Sequence, residues 1–329
     1  MGNEEQDVTV GSGEYTYRPV ENWARWPDEW KLGDVAAVGV DAKDRVYAFH
    51  RGDHPVVVFD RMGNYLRSWG EGVFQRAHGI HMGPDDAIYL TDDGDHTVRK
   101  CTLDGKVLLT IGIPGDPQPF MSGEPFRRCT HTALSPHGEI YVSDGYGNAR
   151  VHKYTPEGKR VLSWGEPGSA PGQFNLPHNI SCDADGWVYV ADRENHRIQV
   201  FDSDGRFETQ WHDLHRPSGM YMPPGKCPIC YVGEIGPYYE FNRDTPNLGP
   251  RVSILSNEGK LLARITAEPA GGTTGPAQFI SPHGLAVDSR GDLYVGEVAY
   301  TAWSSVFPEQ PKPARIRTLR KFEKVAASA

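Results

Sequence analysis

The amino-acid sequence predicts an all-β fold, a six-bladed β-propeller, from two features of its 329 residues. A unit of short runs, in which apolar and polar residues alternate between Asp-Gly turns, recurs along the chain and is typical of antiparallel strands. The six copies align on one tyrosine each: Tyr47, Tyr89, Tyr141, Tyr189, Tyr231 and Tyr294. Apart from a longer fifth unit, their spacing falls in the range of about 40–50 residues that propeller blades have.

Residues 176–202 are the fullest copy of the unit. An apolar run follows Pro177-His178, the chain turns at Asp185-Gly186, and two further runs lead to the next turn. The first unit shows four such runs and closes at Trp69-Gly70. The fifth unit carries an insertion at Gly236–Gly249, and long inserted loops commonly hold specificity residues.

The predicted organisation is an N-terminal arm at residues 1–33, the propeller at 34–323 and a tail at 324–329. The sixth unit has no fourth strand. We therefore expect an N-terminal strand, at about Tyr15–Arg18, to pair with this unit and close the ring, because an unclosed ring would leave exposed strand edges.

Composition narrows the class of protein. The formal net charge of −9 leaves no basic footprint for nucleic acid, and no apolar run is long enough to span a bilayer. The acidic N-terminus lacks the features of a secretory signal, which predicts a cytoplasmic protein or one whose signal has been removed. Five scattered cysteines indicate reduced thiols; Cys227 and Cys230 have the spacing of half a zinc knuckle without a second pair. The oligomeric state is left open.

Histidine recurs at one position on alternate units. Eleven residues before the aligned tyrosines stand Ala36, His78, Thr130, His178 and His283, and Ser218 takes this place in the fifth unit by its Pro-Ser-Gly match. The first strand of each blade lies innermost, so the histidines of units two, four and six should point inward at about 120° to one another. One histidine beside a proline can simply cap a strand start. Three at equivalent positions favour a catalytic metal site; zinc suits it best, and iron, manganese, cobalt or copper also fit.

Further polar residues should lie at the mouth, the open end of the propeller axis nearest the histidines. The residue fourteen after each aligned position should lie across the ladder from it, and these residues are His50, Asp92, Asp144, Asp192 and Glu297. The carboxylates could orient the histidines, or Asp144 and Asp192 could only cap the bend that leaves the strand. Arg51, Tyr146 and Arg193 follow at the open face and offer anion binding and proton transfer. Tyr300 and Glu234 complete the predicted substrate-binding or supporting set, with Glu234 and Glu297 as alternative bases.

Four motifs together resemble the peptidyl-α-hydroxyglycine α-amidating lyases, within the wider set of NHL-repeat six-bladed propellers. They are Phe49-His-Arg-Gly-Asp53, Ser143-Asp-Gly-Tyr146, Leu176-Pro-His178 with Ala191-Asp-Arg-Glu-Asn195, and Ser281-Pro-His283. The resemblance covers about residues 33–322. It implies zinc at His78, His178 and His283, Tyr146 as base and Arg51 as the residue that holds the substrate. The implied reaction cleaves the N–C bond of an α-hydroxyglycine and releases an amide and glyoxylate.

Three positions depart from the pattern of that family. Gly284 stands where the family has an aspartate that binds calcium, Ser281 where it has a methionine, and Gly147 where it has a disulfide cysteine. The sequence therefore does not predict structural calcium.

The expected function is that of a metal-dependent lyase or hydrolase acting on a small polar substrate, such as an N-substituted α-hydroxy acid. One alternative is a lactone or ester hydrolase on a similar propeller, which would usually hold calcium through carboxylate and asparagine ligands. The other is a non-catalytic NHL scaffold, which would need no metal and no arginine and tyrosine arranged at the mouth. We expect no nucleic-acid or membrane partner.

Overall fold

The computed structural model describes residues 8–225, 229–266 and 275–326, which form six antiparallel sheets arranged as the blades of a propeller. The strands are β1 (Val10–Ser12), β2 (Tyr15–Val20), β3 (Val35–Val40), β4 (Val46–His50), β5 (Val56–Phe59), β6 (Tyr65–Trp69), β7 (Ala77–Met82), β8 (Ala87–Asp92), β9 (Thr97–Thr102), β10 (Val107–Ile111), β11 (His131–Leu134), β12 (Ile140–Asp144), β13 (Arg150–Tyr154), β14 (Arg160–Trp164), β15 (Pro177–Cys182), β16 (Val188–Asp192), β17 (Arg197–Phe201), β18 (Phe207–Trp211), β19 (Pro217–Tyr221), β20 (Ile229–Glu234), β21 (Arg251–Ser256), β22 (Leu261–Ile265), β23 (Pro282–Val287), β24 (Leu293–Glu297) and β25 (Leu319–Lys324). The all-β propeller prediction is confirmed.

Five blades are meanders of four consecutive strands, from β3–β6 in blade 1 to β19–β22 in blade 5. The first strands of neighbouring blades pack against one another around the axis. The apolar core lies between blades: Tyr47 and Phe49 of blade 1, for example, pack with Ile88 and Leu90 of blade 2. The first strand of each blade is therefore the one that presents side chains to the axis.

The ring closes in blade 6 through the N-terminal segment, as the sequence predicts. Strand β2 pairs antiparallel with β25, so that Tyr17 lies opposite Lys324 and Val20 opposite Lys321. Two features were not predicted. Strand β1 adds a fifth strand outside β2, and a helix, α1 (Ala299–Val306), lies between β24 and β25. No helix in the described segments is long and apolar enough to cross a membrane.

The last residue of the second strand anchors the loop that enters the first strand of the same blade. In each blade this residue accepts a backbone N–H from that loop, and the pairs are His50 with Gly33, Asp92 with Gln75 and Arg76, Asp144 with Arg127, Asp192 with Asn175, Glu234 with His215, and Glu297 with Ile280 and Ser281. Five blades use a carboxylate here, whereas blade 1 uses the Nε2 atom of His50. This side chain therefore stabilises the entry into the first strand in every blade.

The anchor of blade 1 should make the fold sensitive to acid. Burial lowers the pKa of His50 to about 4, while a histidine in the unfolded chain titrates near 6.5. Below pH 6.5 the unfolded chain binds a proton that the folded chain does not, so stability is lost as the pH falls from about 6.5 toward 4. We expect the free energy of unfolding of His50→Gln, whose side-chain oxygen can take the place of Nε2 and accept the Gly33 N–H, to fall by about 2 kcal/mol less than that of the wild type between pH 7.5 and 5.

Urea unfolding at the two pH values measures this difference. His212→Gln is the control, because His212 is exposed and its replacement should leave the acid sensitivity of the wild type unchanged. Equal losses of stability in the wild type and His50→Gln would contradict the assignment.

Candidate metal centre

Three buried imidazoles meet on the propeller axis. His78, His178 and His283 lie on β7, β15 and β23, the innermost strands of blades 2, 4 and 6. Their ring centroids are 4.7–4.9 Å apart, and one nitrogen from each ring lies within 4.8 Å of the other two. The structure thus brings together the three histidines that the alternating pattern singled out.

Each histidine occupies an irregularity in its strand pairing. In blade 2, Ala77 lies opposite Asp92 and Gly79 opposite Thr91, so His78 between them has no direct partner across the ladder. The same shift occurs at His178 and His283. Such bulges change the direction of a side chain, and here the bulged side chain faces the axis. The sequence placed the acidic residue opposite the histidine. The structure places it opposite the residue before the histidine, which corrects the expected register by one residue.

The next blade fixes the orientation of every imidazole. The Nδ1–H groups of His78, His178 and His283 donate to the backbone carbonyls of Thr130, Ser218 and Ala36 at 2.6, 2.7 and 2.7 Å. A carbonyl can only accept, so Nδ1 carries the hydrogen and Nε2 keeps its lone pair. The three carbonyls belong to the positions that align with the histidines in the odd-numbered blades.

The electrostatic surroundings keep the imidazoles neutral. Burial lowers the pKa of His78, His178 and His283 well below the ordinary value of histidine. The positive charge of Arg51 adds to this effect at His78 and His283, and that of Arg193 at His178. Neutral imidazole is the form that binds a metal.

Tyr146 places its hydroxyl over the histidine cluster. The phenolic oxygen lies 3.2 Å from His78 Nε2 and 3.0 Å from His178 Nε2. Arg193 approaches this oxygen to 3.5 Å, and the guanidinium of Arg128 lies 4.5 Å from the centre of the tyrosine ring. The guanidinium that contacts the Tyr146 hydroxyl therefore belongs to Arg193.

Arg51 is held beside the site by its own partners. Its side chain is 10% exposed and donates to the Ala77 carbonyl at 2.9 Å and to Asp34 at 3.3 Å. Asp34 also accepts the backbone N–H groups of Tyr300 and Thr301 at the start of α1. Burial and the nearby charge of Arg76 lower the pKa of Arg51.

Tyr300 takes a different place from the predicted one. Its hydroxyl donates to the carbonyl of Ala314 and accepts the N–H of Ile316, so the side chain secures the segment that leads to β25. Only its backbone N–H contributes to the site, through Asp34.

The carboxylates Asp144, Asp192, Glu234 and Glu297 bond loop N–H groups and neighbouring side chains rather than the axial histidines. Beyond the loop N–H groups described above, Asp192 binds Arg197, Glu234 binds Arg251 and Glu297 binds Arg320. Asp144 accepts from the amide of Asn148. Since backbone carbonyls already take the Nδ1–H groups of the histidines, these carboxylates do not orient the rings. Their bonds also occupy Glu234 and Glu297, the alternative bases.

The position after the third histidine has no room for a side chain. A Cβ atom at Gly284 would lie 2.4 Å from the Cα atom of Ala37 on the neighbouring blade. An aspartate could not occupy it without moving blade 1. The residues of this chain therefore do not fit the calcium ligand of the family that it resembles.

A chain of contacts that the sequence did not indicate links the mouth to the insertion of blade 5. Arg193 donates to Glu194 at 2.8 Å, and Arg216 donates to both oxygens of Glu194 at 2.9 and 3.0 Å. The guanidinium of Arg216 lies 4.7 Å from the ring centre of Tyr238. Burial opposes ionisation of Glu194, but the hydrogen bond from Arg216 and the two positive charges outweigh it and lower its pKa to about 2. Only the length of the insertion pointed to this region.

The fold and the axial cluster define a six-bladed propeller with a three-histidine centre, and similarity to known proteins agrees with this class. Residues 174–201 match the NHL repeat. NHL repeat-containing protein 3 of Homo sapiens is 31% identical, over 86% of this chain and 81% of its own length. Peptidyl-alpha-hydroxyglycine alpha-amidating lyase 1 of Drosophila melanogaster is 29% identical, over 83% of this chain and 57% of its own length.

Longer relatives match with only part of their length. Peptidyl-glycine alpha-amidating monooxygenase B of Xenopus laevis is 30% identical over 90% of this chain, which spans 36% of that protein. Among solved structures, streptogramin B lyase has the same fold, with a TM-score of 0.55 at 13% identity over 97% of this chain and 91% of that one. The chain belongs to the NHL-repeat propellers that include NHL repeat-containing protein 3, and it is similar to the amidating lyases.

Metal uptake tests the histidine cluster. Metal-free protein should take up one zinc ion per chain, and His178→Ala should weaken this binding by at least about 100-fold, because losing a ligand costs more than losing a partner that orients one. His212→Ala, at an exposed position, is the matched control and should bind zinc like the wild type. Equal zinc affinity in His178→Ala and the wild type, measured by competition with a chelating dye, would rule out the site.

Proposed function

We propose that this protein is a zinc-dependent carbon–nitrogen lyase that cleaves small N-substituted α-hydroxy acids of the α-hydroxyglycine type. The observation that carries this proposal is the set of three imidazoles with Nε2 free toward the axis and the Tyr146 hydroxyl within 3.2 Å of two of them. The names of the lyase relatives support the reaction class.

The donor set suits zinc. His78, His178 and His283 would hold the ion, because each offers a neutral Nε2 whose ring is fixed through Nδ1. When bound, zinc supplies a Lewis acid that makes a substrate hydroxyl more acidic. Three imidazoles also suit other divalent transition metals, so metal loading is part of the test.

Tyr146 is the residue that moves the proton. Its phenolate oxygen would take the proton of the substrate hydroxyl and deliver it to the departing nitrogen. Arg193 lies 3.5 Å from that oxygen, and its charge stabilises the phenolate. Tyr146 and Glu194 outweigh the effect of burial and raise the pKa of Arg193, so this guanidinium stays charged.

Arg51 would bind the carboxylate of the substrate. It is buried beside the histidines, and its charge influences both His78 and His283. Among the described residues, Asp34 is the carboxylate that pairs with it, at 3.3 Å, and Asp34 divides its oxygens between Arg51 and the start of α1. An incoming carboxylate can therefore pair with the guanidinium.

The bonds balance without a further reactant. The hydroxyl O–H breaks, and its electron pair forms the C=O bond of glyoxylate. The C–N bond breaks, and its electron pair stays on the nitrogen. That nitrogen receives the proton held by Tyr146, which gives the amide and regenerates the phenolate.

We place this activity in a reducing compartment such as the cytoplasm, with a small-molecule substrate and no nucleic-acid or membrane partner. Within the described residues, Cys101, Cys129, Cys182 and Cys230 are free thiols, which supports this placement. Cys227 lies outside the described residues, so the pairing considered for Cys227 and Cys230 stays a prediction.

Replacement of Tyr146 by Phe separates proton transfer from metal binding. The ring stays and only the hydroxyl is lost, so zinc content should be unchanged while turnover of an N-acyl α-hydroxyglycine falls by about 100-fold or more. Release of glyoxylate by the zinc-loaded protein is the readout.

Tyr300→Phe is the control. The Tyr300 hydroxyl bonds the segment before β25, so its loss should change turnover by only a few-fold. Full turnover in Tyr146→Phe would make Tyr146 a wall of the pocket. Hydrolysis of lactones or esters with no release of glyoxylate by the wild type would contradict the lyase assignment.

A further inference from the structure

Two hydroxyl groups beside the third histidine leave one hydrogen without an acceptor. Tyr238 Oη and Ser281 Oγ lie 2.7 Å apart, and either can donate to the other. The pair has two O–H hydrogens, but one contact uses only one of them. Neither hydroxyl has another hydrogen-bond partner among the described residues. Because Ser281 is fully buried, leaving such a donor unsatisfied is costly.

Both hydroxyls are connected to the candidate site. Ser281 stands two residues before His283, at the point where the chain enters β23. Tyr238 comes from the insertion of blade 5, and the contacts through Arg216, Glu194 and Arg193 connect it to Tyr146. The donor therefore lies on the side of the mouth that blades 5 and 6 share.

We propose that the Tyr238–Ser281 hydroxyl pair donates a hydrogen bond to the carbonyl oxygen that an N-acyl substrate carries next to its scissile nitrogen. This inference rests on the proposed lyase function. It makes the pair a specificity-determining element that favours N-acyl substrates over those whose nitrogen substituent has no acceptor.

The chemistry of the pair matches a neutral acceptor. Burial raises the pKa of the Tyr238 phenol, so this hydroxyl keeps its hydrogen and can act as a donor. A substrate carboxylate has the charged guanidinium of Arg51 as a stronger partner. A carbonyl oxygen on the nitrogen substituent is the remaining acceptor of an N-acyl α-hydroxyglycine.

Binding of two unreactive probes to the zinc-loaded protein tests the inference. N-acetylglycine carries the acyl carbonyl, whereas pentanoate has the same chain length and carboxylate but no carbonyl or nitrogen in the chain. Each single variant, Tyr238→Phe or Ser281→Ala, keeps one hydroxyl that can still donate. The double variant removes both, so we expect it to bind N-acetylglycine about 10-fold more weakly in calorimetry and pentanoate within twofold of the wild type.

Tyr239→Phe is the matched control, because Tyr239 follows on the same insertion but is 65% exposed; it should bind both probes like the wild type. Thermal unfolding verifies that every variant is folded. If the double variant does not fold, the single variants replace it, and we expect each to bind N-acetylglycine about threefold more weakly and pentanoate like the wild type. Unchanged affinity for N-acetylglycine, equal losses for both probes, or no binding of N-acetylglycine to the wild type would overturn the inference.

Turnover distinguishes this inference from the proposed function. If the wild type releases glyoxylate but the double variant shows no selective loss of N-acetylglycine binding, the lyase function stands and the hydroxyl pair has no role in recognition. A wild type without lyase activity, with a double variant that loses N-acetylglycine selectively, would retain the recognition site and overturn the reaction.

Discussion

The hydrogen bond from each axial imidazole to a backbone carbonyl of the next blade is the contact on which the centre depends. It fixes the rotation of the ring, places the hydrogen on Nδ1 and turns the Nε2 lone pair inward. The three bonds join blade 2 to 3, blade 4 to 5 and blade 6 to 1. The bond from His283 to Ala36 crosses the seam that β2 closes by pairing with β25. The contacts that close the ring therefore include one that orients an axial histidine.

Two carboxylates at the mouth each bond two arginines. Asp93 bonds the guanidiniums of both Arg76 and Arg128. Glu194 likewise bonds Arg193 and Arg216. Each shared carboxylate leaves an excess positive charge at the mouth, although the chain as a whole carries a net charge of −9. Such a field favours an anionic substrate, as the proposed α-hydroxy acid is.

The repeat explains how much of the fold could be predicted from the sequence. Alternating runs and Asp-Gly turns are local signals, so the six blades and the closing strand were predictable, and counting along the repeat placed His78, His178 and His283 at equivalent positions. Counting residues along the repeat does not reveal a bulge. The bulge at each histidine shifted the expected partner on the second strand by one residue. Strand β1 and helix α1 have no counterpart in the repeat and were not predicted.

Long-range contacts explain what the sequence could not indicate at the site. Glu297 was assigned to the mouth because its type and position suit a ligand partner, but a loop N–H sixteen residues earlier and Arg320 occupy it. Asp34 contacts both Arg51 and the N–H of Tyr300, 266 residues later. Tyr238 meets Ser281 only once the insertion of blade 5 lies over blade 6. None of these pairings has a local sequence signal.

X-ray absorption spectroscopy of the zinc-loaded protein detects the atoms bound to the ion and so tests whether three histidines hold it. We expect imidazole scattering from three histidines with zinc–nitrogen distances of about 2.0–2.1 Å and no sulfur neighbour, and loss of one imidazole in His178→Ala. Sulfur in the first coordination shell, fewer than three imidazoles in the wild type, or an identical spectrum in His178→Ala would contradict it.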